Sequence, residues 1–116
     1  MMTKITFRTL KTERDFTQFR NTKPFHSPLF RLHFVLRPNQ NSPRFGFIVP
    51  KKIFPKVVIR NLLKRRLKRI IQLSLPRLKP ADILLAPKSE VVRKKYAELE
   101  SQLTELFTNA HLWQKF

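Results

Sequence analysis

The sequence predicts an α+β fold, with helices laid over one face of a small sheet. Three observations predict it. Phe30 to Leu36 alternates with the period of two of a half-buried strand. Ile59, Leu63, Leu67, Ile70 and Ile71 recur at helical spacing and form one apolar stripe. The elements run helix, strand, strand, helix, strand, helix, an order that sorts into a helix layer and a sheet layer.

Each element has a local reason. Thr12 to Arg20 reads as a short helix: Thr12 can cap it, and Glu13 and Asp15 put negative charge in the first turn, where the helix dipole favours it. Phe16 and Phe19 share one of its faces. Asn21 to Pro28 is a loop broken by Pro24 and Pro28. In the first strand Phe30, Leu32, Phe34 and Leu36 point one way, and Arg31, His33 and Val35 the other. Arg37 to Pro43 is polar with two prolines and reads as a hairpin connection to a second strand, Phe45 to Val49. Gly46 inside that strand signals a close backbone approach or a bulge.

The central helix begins around Val57 to Arg60 and runs to about Ser74, with Pro55 before it and Pro76 after it. Asp82 to Ala86 is a third, almost wholly apolar strand ended by Pro87. Val91 to Phe107 is a last amphipathic helix, with Tyr96, Leu99, Leu103 and Leu106 inward. Residues 108–116 are expected to be a tail, frayed from His111. A length of 116 residues, without repeats or low-complexity segments, suits a single domain over 1–116 with its core at about 8–107. The uncovered sheet face is then free for a ligand.

Charge narrows the ligand. The chain has 25 Lys plus Arg against 7 Asp plus Glu, a formal charge of +18. A field of this size steers a protein toward RNA, DNA or an acidic membrane. No acid falls between Phe16 and Ala81, where 16 cations lie. From Lys51 to Arg69 every ionisable residue is basic. Arg60, Asn61, Lys64, Arg65, Lys68 and Arg69 fan across the half of the central helix opposite its apolar stripe. A solvated helix face normally mixes signs to gain side-chain pairs, and this one does not. A basic amphipathic helix can also lie on anionic lipid, but the elements around this one already supply a core for its stripe. Asn61 can read a base edge or make a local contact at the helix start.

Six phenylalanines, Phe16, Phe19, Phe30, Phe34, Phe45 and Phe47, exceed what a small core needs. Aromatic faces beside cations hold single-stranded nucleic acid, and they also fill cores. Catalytic constellations are missing from the sequence. There is no cysteine, so disulfides, thiolate chemistry and Cys-based zinc sites are excluded. Gly46 is the only glycine, which rules out a Gly-rich phosphate loop. A metal-dependent nuclease needs clustered carboxylates, and Asp82 is alone between Phe16 and Ser89; it reads as fixing a turn at the start of its strand. His26, His33 and His111 lack metal-ligand spacing. No catalytic or metal-binding residue is therefore assigned. With no apolar run near a membrane span of roughly 18 residues and no signal-peptide core, the expected location is the cytoplasm.

The order Arg44, Gly46, Val49, Lys51, Lys52, then Arg60-Asn61 and Lys64-Arg65, resembles the protein subunit of bacterial ribonuclease P. Asp15-Phe16 resembles that family's acidic-Phe pair near the N-terminus, Asp82 to Ala86 its Asp-led apolar strand, and Tyr96 to Phe107 its final helix. The resemblance covers roughly residues 8 to 107. Leu62 stands where the family usually has a second Arg after Arg-Asn, and Pro50 replaces a frequent Ser. The turn between Lys52 and Arg60 is about one residue longer, with Phe54-Pro55 where a Gly is usual.

The resemblance implies a two-layer sandwich with a four-stranded sheet and a left-handed βαβ crossover. It implies a protein subunit of an endoribonuclease in which a large RNA, with bound magnesium, performs the cleavage. The implied partners are that ribonuclease P RNA and precursor tRNA, with neither DNA nor membrane. Lys51, Lys52, Lys56, Arg60, Asn61, Lys64, Arg65, Lys68 and Arg69 would face the catalytic RNA. The sheet and first helix would form the cleft for the 5′ leader, with Phe16, Phe19, Arg20, Arg31, Phe34 and Arg44 as contacts. Two other readings stand beside this one: a ribosomal or assembly-type protein that binds structured RNA, and a stand-alone nuclease.

Overall fold

The computed structural model describes residues 8–10, 13–40 and 42–114. In chain order the elements are β1 (Arg8–Thr9), α1 (Glu13–Thr17), β2 (Phe25–His26), β3 (Phe30–Leu36), β4 (Arg44–Phe47), α2 (Val57–Ser74), β5 (Ala81–Pro87) and α3 (Tyr96–Asn109). One mixed sheet has the order β1-β4-β5-β3-β2. The four strands expected are present as β4-β5-β3-β2, and β1 adds a two-residue parallel edge beside β4.

The link from β3 to β4 is not a hairpin. β5 lies between them, antiparallel to β3 and parallel to β4, so the chain leaves β4, climbs through α2 and returns beside it as β5. The reason is burial. β5 is apolar but for Asp82 and is buried on both faces, as suits the middle of a sheet, whereas β3 alternates.

One face carries the main core. Phe30, Leu32, Phe45, Ala81, Ile83 and Leu85 from the strands pack with Leu63, Leu67, Ile70 and Ile71 of α2 and Leu99, Leu103, Leu106 and Phe107 of α3. Each of the Leu, Ile and Phe side chains contributes about 1.5–3 kcal/mol when fully buried. The stripe predicted for α2 is the buried one, with Ile59 partly covered. α3 begins later than expected, because Ser89–Arg93 forms a separate 3₁₀ turn.

The opposite face is only partly open. α1 lies across it, and Leu10, Phe19 and Leu84 form a second small core there, flanked by Val35 and Ile48. The helices are thus not all on one face. α1 is shorter than the predicted Thr12–Arg20, and the Thr12 cap lies outside the described residues.

The frayed tail is also corrected, as far as Gln114. Past α3 the Leu112 N–H donates to the Phe107 carbonyl (3.0 Å) and the His111 N–H to that of Thr108 (3.1 Å), the paired bonds of a Schellman turn. His111 takes the left-handed conformation, φ 56°, that glycine usually supplies. The turn buries Leu112 completely, and Trp113 bridges to Leu78 and packs edge-on against Phe107.

Candidate nucleic-acid interface

Two surfaces carry the predicted residues. The first is the solvent half of α2 and the turn leading into it. Asn61, Lys64, Arg65, Lys68 and Arg69 are exposed on the helix, and Lys51, Lys52 and Lys56 are exposed before it. No acid stands in the first turn of α2, and Lys56 at its N-cap makes no side-chain capping bond. Positive charge at a helix N-terminus opposes the dipole, so this arrangement does not serve the isolated helix. Among the described residues, Lys64, Arg65 and Arg69 have no acidic partner.

Arg60 differs from its neighbours. Its Nη1 donates to the carbonyls of Phe54 (2.8 Å) and Pro55 (2.9 Å), so it clamps the preceding turn onto the helix. Phe54 plugs the main core, 2% exposed, and its N–H closes a turn on the Pro50 carbonyl. The extra length and the Phe54-Pro55 pair therefore have a local structural use. Leu62 is half-buried, and no charge stands at its position.

The second surface is the open sheet face, which has three levels along β5, spaced about 7 Å apart by strand geometry. At the first, Asp82 meets its register partner Arg44. Arg44 Nε and Nη2 donate to the two carboxylate oxygens at 2.8 and 2.6 Å. Gln18, in the turn directly after α1, donates to Asp82 at 3.0 Å, and Arg37 Nε lies 3.4 Å away. Arg37 also donates to Gln18 Oε1. Asp15 of α1 reaches Arg44 at 3.4 Å. Asp82 is fully buried. Burial pushes its carboxyl up, but the hydrogen bonds from Arg44 and Gln18 and the Arg44 charge hold it below its usual value. Asp82 thus organises this end of the sheet and does not merely fix a turn.

At the middle level Gly46 pairs with Leu84, and the Phe16 ring covers the glycine. A Cβ on Gly46 would stand 2.9 Å from Phe16 Cε1 and 3.1 Å from Leu10 Cδ1. The close approach foreseen for Gly46 is that of α1. Phe16 remains 36% exposed, with its ring fixed on one side and open on the other. His33 faces the same side and hydrogen-bonds Thr22 Oγ1 at 2.8 Å. At the third level Arg31 pairs with Ala86. Here a cleft of about 450 Å³ is lined by His26, Arg31, Ile48, Pro50, Ile53 and Lys88.

Of the leader candidates, Phe16, Arg20 and Arg31 are accessible. Phe19 is 4% exposed, inside the second core, and offers no free ring. Phe34 points to the main core and stacks obliquely on Phe25 at 5.7 Å. The strand's own period puts Phe34 and Arg31 on opposite faces. Arg44 is held by two carboxylates. Gln18, Arg37, His26 and Lys88 were missed. The isolated acid Asp82 in an apolar strand signalled a buried partner, whereas His26 and Lys88 had no signal before β2 and β5 were placed.

Against known proteins, the family model described as Ribonuclease P matches residues 6–111. The ribonuclease P protein component of Lactiplantibacillus plantarum is 33% identical over 105 residues, 89% of this chain and 91% of the relative. That of Bacillus velezensis is 29% identical over 107 residues, 91% of each. Among solved structures, the RNase P protein of Thermotoga maritima superposes with a TM-score of 0.73 at 25% identity, covering 85% of this chain and 94% of that one. The Staphylococcus aureus RNase P protein gives 0.83 at 16% identity, covering 94% and 100%; at that identity the likeness concerns fold alone.

Proposed function

This chain belongs to the ribonuclease P protein family, and we propose that it works as the protein subunit of that RNA-based endoribonuclease, gripping the catalytic RNA with α2 and the precursor-tRNA leader with the open sheet face. The observation that carries the first half is the one-sided charge of α2, where Lys64, Arg65 and Arg69 have no acidic partner among the described residues. Phosphates supply the missing counter-charge, and binding them releases condensed counterions. Support for the second half is the half-exposed Phe16 ring one strand step from Arg31 and the cleft. An aromatic face beside cations holds unpaired nucleotides by stacking and charge, without reading sequence.

Magnesium, in this reading, supplies the phosphodiester chemistry from sites on the RNA. The residues here do not fit an oxygen-ligand cage for it: of the two acids that meet Arg44 on this face, Asp82 already accepts bonds from Arg44, Gln18 and Arg37, and Asp15 pairs with Arg44. The chain's own work is to bind and orient. Lys64, Arg65 and Arg69 hold phosphates, Phe16 stacks a leader base, and Arg31 neutralises the strand that passes it.

Reconstitution with a bacterial ribonuclease P RNA is the test. The chain should stimulate 5′ maturation of precursor tRNA at low magnesium and should cleave nothing without that RNA. Cleavage by the protein alone would establish a nuclease. Tight RNA binding without stimulation would leave a structured-RNA-binding protein of another kind.

A further inference from the structure

We infer that Asp82 is a positioning residue for the precursor-tRNA leader: it touches no RNA, but through Gln18 and through Arg44 it holds α1 where the Phe16 ring covers Gly46. The inference rests on the proposed leader role of the open face.

α1 has five helical residues, too few to be stable unaided. Its place on the sheet must come from tertiary contacts. Two of these are polar and end on the pair of Arg44 and the buried Asp82: Gln18 donates to Asp82 (3.0 Å), and Asp15 accepts from Arg44 (3.4 Å). The pair is itself fixed, because Arg44 and Asp82 are register partners on adjacent strands and Arg44 donates twice. Gln18 also takes a bond from Arg37, tying in the β3–β4 connection. Four chain segments thus meet at one carboxylate. Phe16 lies on α1 and Gln18 opens the turn directly after it, two residues on, so a change in the height of α1 moves the ring. Gly46 leaves just enough space for the ring at its present height. Cluster and ring therefore act as one unit, the anchor setting where the stacking surface stands above the sheet.

The experiment uses the reconstituted holoenzyme and compares affinities for precursor and mature tRNA. Gln18→Ala removes one half-buried strut in the turn just past α1 and is the main variant, because Asp82→Asn can unfold the chain by leaving Arg44 poorly paired. Gln18→Ala should weaken precursor binding by about five-fold and leave mature tRNA unchanged. In a Phe16→Ala background the same substitution should have almost no further effect, since coupled residues are not additive. Asp82→Asn, if folded, should show the same pattern. Equal weakening of both tRNAs, or full additivity with Phe16→Ala, would make the cluster merely structural and overturn the inference. Phe16→Ala without any leader-specific loss would instead remove the leader reading itself.

Discussion

Arg44 and Asp82, 38 residues apart in sequence, face each other across two parallel strands and are joined by two hydrogen bonds of 2.8 and 2.6 Å. The pair turns an arginine that the sequence offers as an RNA contact into part of the scaffold. It also accounts for the single acid in a long basic stretch. A buried carboxylate requires a paired charge, and the half-buried Arg44 supplies it to Asp82, which solvent does not reach.

Electrostatic binding by α2 predicts a steep salt dependence. With five or six cations of α2 and the Lys51-Lys52 turn on phosphates, the log–log slope for catalytic RNA should be on the order of −4 to −5. Replacing Lys64 and Arg65 together by Ala should weaken binding and flatten the slope by about two. Titrations at several salt concentrations read this directly, and an unchanged slope would put the RNA elsewhere.

Phe16 and Leu67 should separate stacking from packing. Phe16→Ala is expected to lower holoenzyme affinity for precursor tRNA about ten-fold, in line with 1–3 kcal/mol per stacked base, and to spare mature tRNA. Leu67 is wholly buried in the main core; Leu67→Ala should cost about 2–5 kcal/mol of stability. Thermal unfolding and both tRNA affinities, measured for each variant, decide between the roles. Unfolding by Phe16→Ala as severe as that by Leu67→Ala would make Phe16 a core residue.

Gly46→Ala tests the contact beneath the ring. The new methyl would sit inside ordinary contact distance of Phe16 and Leu10. α1 must shift, or the sheet must carry overpacking of about 1–3 kcal/mol. Denaturant unfolding should show the loss, and leader affinity should fall with it. A fully stable variant would mean that α1 moves freely on the sheet.

Stability should depend on pH with a definite sign. His33 is held below its ordinary value, first by burial and then by the nearby Arg31 charge. Its neutral form favours the fold, so that contribution fades as pH drops below about 6.5, where the unfolded histidine takes up a proton. Asp82 is lowered by its donors, in spite of burial. Its contribution is complete above about pH 4 and is lost as pH falls through the folded value. Unfolding curves across the acid range should show both losses. The lower one should shrink in Asp82→Asn and the upper one in His33→Gln.

His111 offers a stabilising change. It occupies a left-handed position at the end of α3, which costs a non-glycine residue roughly 1–2 kcal/mol. His111→Gly should therefore raise stability by about 1 kcal/mol, read as a higher Tm. A lowered Tm would show that the imidazole itself holds the turn.

By itself the sequence determined what local periodicity encodes. The α2 limits, its buried stripe, the parity of β3 and the apolar character of β5 follow from spacings of two, three and four residues. The one-sided charge of α2 was legible for the same reason, as was the motif order that the family match later matched. Tertiary structure alone decided the rest. The wedge of β5 between β3 and β4 set which residues face Asp82, at separations of 38 and 64 residues. It placed α1 on the second face, buried Phe19 and left Phe16 half open. The C-terminal segment folded back through a turn whose usual glycine is absent. Such pairings depend on which surfaces meet after the chain has crossed the molecule, and no short-range spacing records that.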